Sequence, residues 1–214
     1  MTGQVIHIFD LFGTAVFAVT GALCGVHHRL DLLGVVVFGC TVGVGGGILR
    51  DTIIGAVPVA ALQDMSYLLI CIGSALTVFF VARYLRNLYR IISFCDAIGL
   101  GVFTAIGAAK GFAYELKTIG VVLCGVLTAV GGGILRDVMV KSIPLVLTSD
   151  FYATASLIGG LEFCLLKNLT QMHDFNIFMI TFASVTSIRL AAMHFKLQLP
   201  VAQCADNLSE ERNK

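Results

Sequence analysis

Shifted by 86 residues, the chain falls on itself without a gap. Asp10 lands on Asp96, Gly13 on Gly99, Phe17 on Phe103, Gly21 on Gly107 and Gly25 on Gly111; Gly34 lands on Gly120 and Gly39 on Gly125. The heptapeptide GGGILRD at 45–51 lands on an identical GGGILRD at 131–137, Pro58 on Pro144 and Asp64 on Asp150. Self-similarity at one fixed offset marks a duplicated structural unit. Any fold for this chain must hold two copies of one ancestral unit.

Composition decides the medium. Of 214 residues, 57% are hydrophobic and 13% charged, against about 25% charged in an average soluble domain. A soluble chain this short exposes too much surface to hide that apolar content. A formal net charge of +1 leaves no footprint for a nucleic acid. A helix crossing a bilayer core of about 30 Å needs about 20 apolar residues, and seven runs supply them: 5–26, 32–57, 66–85, 91–109, 116–138, 150–167 and 175–195. These runs are too long for barrel strands of about 10 residues. The chain reads as an all-α membrane protein with seven transmembrane helices. Each copy holds three of them, and three is odd, so the second copy enters from the opposite side. The sequence therefore predicts an inverted 3+3 repeat (1–88 and 89–170), a seventh helix within 171–197 and a polar tail over 198–214. Inverted repeats of this kind are typical of transporters and channels, with a path at the interface of the two halves.

Basic residues in the loops set the orientation. Lys110, Lys117 and Lys167 fall on one side; Arg29, Arg83, Arg86, Arg90, Lys141, Lys196, Arg212 and Lys214 fall on the other. The N-terminus is expected outside and the C-terminus in the cytoplasm. No Lys or Arg precedes Arg29, so the first run reads as a retained span and not as a cleaved signal. The cluster Arg83, Arg86, Arg90 anchors this topology; bound anionic lipid is the other use such a cluster has.

The glycines divide into two sets. Gly21/Gly25, Gly107/Gly111 and Gly39/Gly43 have the spacing that lets helices approach closely in lipid. The triplets Gly45, Gly46, Gly47 and Gly131, Gly132, Gly133 weaken a helix interior by about 2.5–3 kcal/mol each. They are expected to kink or unwind the second and fifth spans, which lipid tolerates only against protein or a water-filled cavity. Freed carbonyls there would hold a transient monovalent cation, and half-helix amide ends would instead favour an anion. Close packing of two helices without any ion is the competing explanation.

Ionisable residues inside spans mark function by default. Asp10 and Arg50 are placed near one face, Asp96 and Arg136 near the other, predicting an ion pair at each mouth. Asp51 and Asp137 flank them. These pairs either lock helices or line and gate a path. Arg189 is expected to snorkel, with Glu162 paired to it or to Lys167. The seven cysteines are scattered, form no CxxC and read as small core residues. His27, His28 and His173 read as loop residues. No metal-ligand or cofactor motif is present in the sequence.

Two GGGILRD runs in a three-plus-three-plus-one membrane chain resemble the bacterial branch of the trimeric intracellular cation channel (TRIC) family, whose members are also described as glycine-transporter-like. The resemblance covers about residues 5–195. It implies a homotrimer with one hourglass-shaped pore inside each protomer. That pore is kinked at the two glycine triplets and passes monovalent cations, chiefly potassium; it needs no cofactor beyond potassium or sodium in the pore. Arg50, Asp51, Arg136 and Asp137 then flank the kinks. The Lys-Glu-Val tripeptide of the animal members, which binds an inositol phospholipid, is absent from this sequence. The resemblance also implies the bacterial inner (plasma) membrane.

A secondary transporter of a small zwitterion such as glycine uses inverted repeats and broken helices equally well. An intramembrane enzyme is disfavoured, because the matched carboxylates Asp10 and Asp96 are placed at opposite faces, beyond the hydrogen-bond reach that acid–base chemistry needs.

Overall fold

The computed structural model describes residues 3–85, 87–148 and 151–197. Nine α-helices and one short 3-10 turn make up these residues, with no strand among them. They are α1 (Gly3–His27), α2 (Leu32–Ile53), α3 (Ala60–Gln63), α4 (Met65–Val81), α5 (Leu88–Ala113), α6 (Thr118–Met139), α7 (Leu145–Thr148), α8 (Ala153–Leu169) and α9 (Asp174–Phe195). Local chemistry sets the boundaries. Asp31 caps α2 by accepting from the Gly34 amide at 2.7 Å, and Asp64 caps α4 by accepting from Ser66 at 2.8 Å. Gly55, at φ +72°, and Pro58 end α2 at Ile53, four residues before the predicted end.

Six helices among the described residues are long and apolar enough to cross a membrane: α1, α2, α4 with its 3-10 turn, α5, α6 and α9. The predicted sixth span is the exception to the count of seven. It forms α8, whose 17 residues make a rod of about 25 Å, at the lower end of the length that crosses a bilayer. The start is lost because Phe151 takes a left-handed φ of 56°, a conformation that cannot join a right-handed helix. Residue 150, where that span was expected to begin, lies outside the described residues, as do Arg86 and the polar tail over 198–214.

The long helices form two sets. α1 packs on α2 and α4, α5 packs on α6 and α8, and the sets meet along α1–α5 and α2–α6, with α9 laid against α5 and α8. α5 is the most enclosed and α4 the least. Large apolar side chains such as Leu69, Phe80, Ile119 and Leu165 face outward, as the lipid-facing surface of a membrane protein requires.

The seam between the sets is built from glycine. The Phe17 and Phe103 rings meet at 5.0 Å between centroids, and both are fully enclosed. Each lies in a notch on the opposite helix: a methyl added at Gly99 would fall 2.2 Å from the Phe17 ring, and one at Gly13 would fall 3.1 Å from Phe103. The α2–α6 crossing is tighter. A methyl at Gly46 would fall 2.2 Å from the Thr128 carbonyl oxygen, and one at Gly132 would fall 2.6 Å from that of Val42.

The triplets therefore do not unwind their helices. α2 and α6 are continuous through 45–47 and 131–133. Propensity measured on an isolated helix omits what the missing side chains permit here, namely backbone-to-backbone contact across the seam, and tertiary packing outweighs the glycine cost.

Candidate ion pathway

Each long helix that carries GGGILRD ends in a buried arginine and aspartate, and each aspartate reaches the next short helix. In the first cluster, Arg50 donates from Nε to Asp51 Oδ1 at 2.7 Å. Lys110, from the far end of α5, donates to the same oxygen at 2.7 Å, and Asp51 Oδ2 accepts from the Ala60 amide at 3.2 Å. In the second, Arg136 donates from Nε to Asp137 Oδ1 at 2.9 Å, and Asp137 Oδ2 accepts from the Leu145 amide at 2.8 Å. Adjacent residues on a helix do not normally face one another. Here the long arginine doubles back, because the aspartate is anchored at the turn into α3 or α7. All four residues are at most 6% exposed. Charges this deep persist only when paired and hydrogen-bonded.

The predicted Asp96–Arg136 pair is formed, Arg136 Nη1 donating to Asp96 Oδ1 at 2.6 Å. Its counterpart is not. Asp10 accepts instead from the Tyr67 hydroxyl at 2.7 Å, while Arg50 turns to Asp51 and leaves Nη1 buried without a hydrogen-bond partner. Lys110 adds a second cation to this end and satisfies Asp51 from outside, so Arg50 and Asp10 stand apart.

Arg189 does not snorkel. It is 6% exposed, with its guanidinium 4.9 Å over the ring of Tyr152. Lys167 pairs with Asp174 and not with Glu162, whose Oε2 is buried without a hydrogen bond. Among the glycines, Gly45, Gly46, Gly131 and Gly132 belong to the helix seam, each facing a residue of the opposite helix. Gly47 and Gly133 face the clusters: a methyl there would lie 3.8 Å from Nη2 of Arg50 or Arg136, and at Gly133 also 2.8 Å from the Tyr152 hydroxyl. α6 runs as continuous helix through Gly131, Gly132 and Gly133. The described residues contain no group of three or more His, Cys, Asp or Glu placed to hold a metal.

Tyr67 and Tyr152 were missed by sequence reasoning. They lie 85 residues apart, one short of the repeat offset, so a strict search passes over them. Lys110 was counted as a loop charge because only the fold shows that its side chain turns inward.

Cavities lie at both ends. At the Arg50 end, about 300 Å³ is lined by His7, Asp10, Tyr67 and Lys110. A second void adjoins it through Asp10, Ala60 and Tyr67 and runs inward to Gly47, Arg50 and Phe103; its roughly 10 Å³ of space holds about one water. At the Arg136 end, about 320 Å³ is lined by Cys24, His27, His28, Tyr89, Arg136 and Asp137. Phe17, Phe103 and the glycine seam lie between the two ends.

An all-helical architecture with lipid-facing apolar walls, buried ion pairs and cavities at both ends defines a polytopic membrane protein. Its relatives narrow this. The family model described as Glycine transporter matches twice, at 7–83 and 93–168, the starts being 86 residues apart. The chain is 40% identical over 198 residues to a UPF0126 membrane protein of Vibrio cholerae, covering 92% of this chain and 82% of that one. It is 35% identical over 210 residues to the UPF0126 inner membrane protein YadS of Escherichia coli, covering 95% and 99%. Among solved structures, it superposes on the TRIC trimeric intracellular cation channel orthologue from Rhodobacter sphaeroides with a TM-score of 0.87 at 34% identity, covering 91% of this chain and all of that one. A prokaryotic TRIC channel crystallised in 0.5 M KCl gives 0.85 at 31%, covering 92% and 99%. The chain belongs to this TRIC-type family of membrane proteins, within the UPF0126 and Glycine transporter groupings. A TRIC channel from C. elegans, at 14% identity and a TM-score of 0.60, shares the fold.

Proposed function

We propose that the protein is a potassium-permeable channel for monovalent cations, with one path inside each protomer of a homotrimer in the bacterial inner membrane. The N-terminus is outside and the C-terminus cytoplasmic. One observation carries this: cavities at opposite ends of the protomer each run to a buried Arg–Asp cluster, with the Phe17–Phe103 pair and the glycine seam between them. The chain's similarity to cation channels and to an inner membrane protein supports the same reading. Residues 1–88 and 89–170 act as the two inverted copies, 171–197 as an added helix and 198–214 as a tail; the doubled family match supports this division. Asp10, Asp51, Asp96 and Asp137 supply the negative field along the path. Arg50, Arg136 and Lys110 limit it, so that cations enter without being trapped, as conduction requires.

The decisive experiment is single-channel recording of purified protein in planar bilayers under a potassium gradient. Discrete potassium currents are expected. A silent bilayer together with saturable glycine uptake into proteoliposomes refutes the channel. It would promote a small-zwitterion transporter, a reading favoured by the match to the Glycine transporter family.

A further inference from the structure

A cavity of about 340 Å³ between α1, α5, α8 and α9 takes no part in the charge clusters. Phe163 and Phe178, almost fully enclosed, line it together with Ile6 and the exposed Phe112. The Phe112 and Phe163 rings meet edge-on at 6.4 Å between centroids. The charged residues of its lining are Lys167 and Asp174. Lys167 belongs to the last turn of α8 and Asp174 opens α9, so both charges stand at the end of the bundle, where charged side chains reach the head-group region of a bilayer. Lys167 donates to Asp174 and holds its ammonium 4.9 Å over the Phe112 ring. A lysine ammonium has three donors, and Asp174 takes one. The Lys167 and Asp174 side chains are 20% and 44% exposed, within reach of a molecule in the crevice. An aromatic floor edged by one cation and one anion sorts its occupants by charge. An anionic head group meets Lys167 but is repelled by Asp174. A choline head group has no N–H to give Asp174. An ethanolamine head group satisfies both.

We propose that this crevice binds a zwitterionic, amine-headed phospholipid, a phosphatidylethanolamine. Its phosphate accepts from Lys167, its ammonium donates to Asp174, and an acyl chain lies over Phe112, Phe163 and Phe178. Acyl packing alone gains little, because the surrounding bilayer is as apolar as the crevice. Preference among lipids therefore comes from the two charge-assisted head-group contacts. Ile6, Ala109 and Ala113 also line the cavity at the Arg50 end, so the bound lipid backs onto one wall of that cavity. The site stands whether or not the protomer conducts.

The chain contains no tryptophan, so a single introduced one reports from a known place. Phe112→Trp keeps an aromatic ring under Lys167; Phe80→Trp, on the lipid-facing side of α4, is the control. Each full-length variant is reconstituted in phosphatidylcholine vesicles holding a minor fraction of lipid with brominated acyl chains, and quenching of the tryptophan is measured against that fraction. A charge-assisted hydrogen bond is worth about tenfold or more in an equilibrium. Brominated phosphatidylethanolamine is therefore expected to half-quench Phe112→Trp at a fraction about tenfold lower than brominated phosphatidylcholine or phosphatidylglycerol, and to show no preference at Phe80→Trp. Lys167→Met, added to Phe112→Trp, should remove the preference. Asp174→Asn should do more: it ends the repulsion of anions, so phosphatidylglycerol should overtake phosphatidylethanolamine, a reversal that a merely structural ion pair does not produce. Equal quenching by the three lipids at Phe112→Trp overturns the site. Stronger quenching by phosphatidylglycerol in that parent overturns the role of Asp174 and leaves an anionic-lipid site. A preference that survives a folded Lys167→Met or Asp174→Asn overturns the assignment of the head-group contacts. If Lys167→Met does not fold, Asp174→Asn carries the test, and failure of both to fold leaves a structural ion pair in place of a lipid site.

Discussion

The sharpest prediction concerns the two neighbours Gly46 and Gly47. Adding a methyl at Gly46 places it 2.2 Å from the Thr128 carbonyl oxygen and 3.3 Å from that carbonyl's carbon. Both are backbone atoms of α6, so no side-chain rotation relieves the clash. The helices must part by about 1 Å to regain ordinary contact. Overpacking of this kind costs about 1–3 kcal/mol. With a rigid backbone wall the upper end applies, and the gain of about 1 kcal/mol from replacing a helical glycine by alanine leaves a net loss of about 2 kcal/mol. At Gly47 the nearest atom to the new methyl is Arg50 Nη2 at 3.8 Å, so only the gain of about 1 kcal/mol remains. The two variants should differ by about 3 kcal/mol. At about 2–4 °C per kcal/mol for a chain of this size, that is about 6–12 °C in Tm. Thermal unfolding of the detergent-purified protein, followed by helical circular dichroism at one scan rate, measures it. Gly132→Ala, facing Val42 O at 2.6 Å, should behave like Gly46→Ala. If Gly46→Ala melts within about 2 °C of Gly47→Ala, the crossing is not backbone-tight and the account of the triplets given above is wrong.

Three further outcomes are expected. Phe17→Ala should destabilise the protein by about 3–5 kcal/mol, because the ring fills the notch at Gly99. Gly99→Ala should be harmful alone and close to neutral in the Phe17→Ala background, and a four-member melting cycle reads this coupling; strict additivity would show that ring and notch do not meet. The Asp64 carboxyl is held below the usual carboxylate range, chiefly by the Ser66 amide it caps and also by nearby His7. A lowered folded value contributes stability above the ordinary aspartate value of about 3.9 and loses it as the pH falls through the lower folded value. The Tm gap between wild type and Asp64→Ala should thus be open at neutral pH and close in acid; a gap that persists in strong acid would mean the residue acts through something other than its charge.

How far the sequence could be read varied with the kind of interaction. Helices and their register followed from apolar run length and the 86-residue offset, because both depend on the medium and on duplication alone. The Asp96–Arg136 pair followed from topology. Asp10–Arg50 did not, because Arg50 had a competing carboxylate one residue away and Lys110 arrived from another helix. Choice among charged neighbours is made by three-dimensional packing. The triplets did not unwind their helices for a related reason. Glycine's cost is a property of one helix and shows in the sequence, whereas its benefit belongs to two helices and shows only where Gly46 meets Thr128 and Gly132 meets Val42. The shortened α8 turned on a single left-handed residue, Phe151, which no apolar window detects. Arg189 looked like a residue that reaches for water because charge near a span end usually does; an aromatic ring at Tyr152 gives it a buried seat instead.

The crossed seating of Phe17 at Gly99 and Phe103 at Gly13 sets an order for biogenesis. When the ribosome has released α1, α2 and α4 into the bilayer, the notch at Gly13 is still empty and the Phe17 ring has no socket, since both partners lie on α5. The early half must wait in lipid as an unfinished surface until α5 arrives and fills both places at once. Neither half buries this seam before the other is in place.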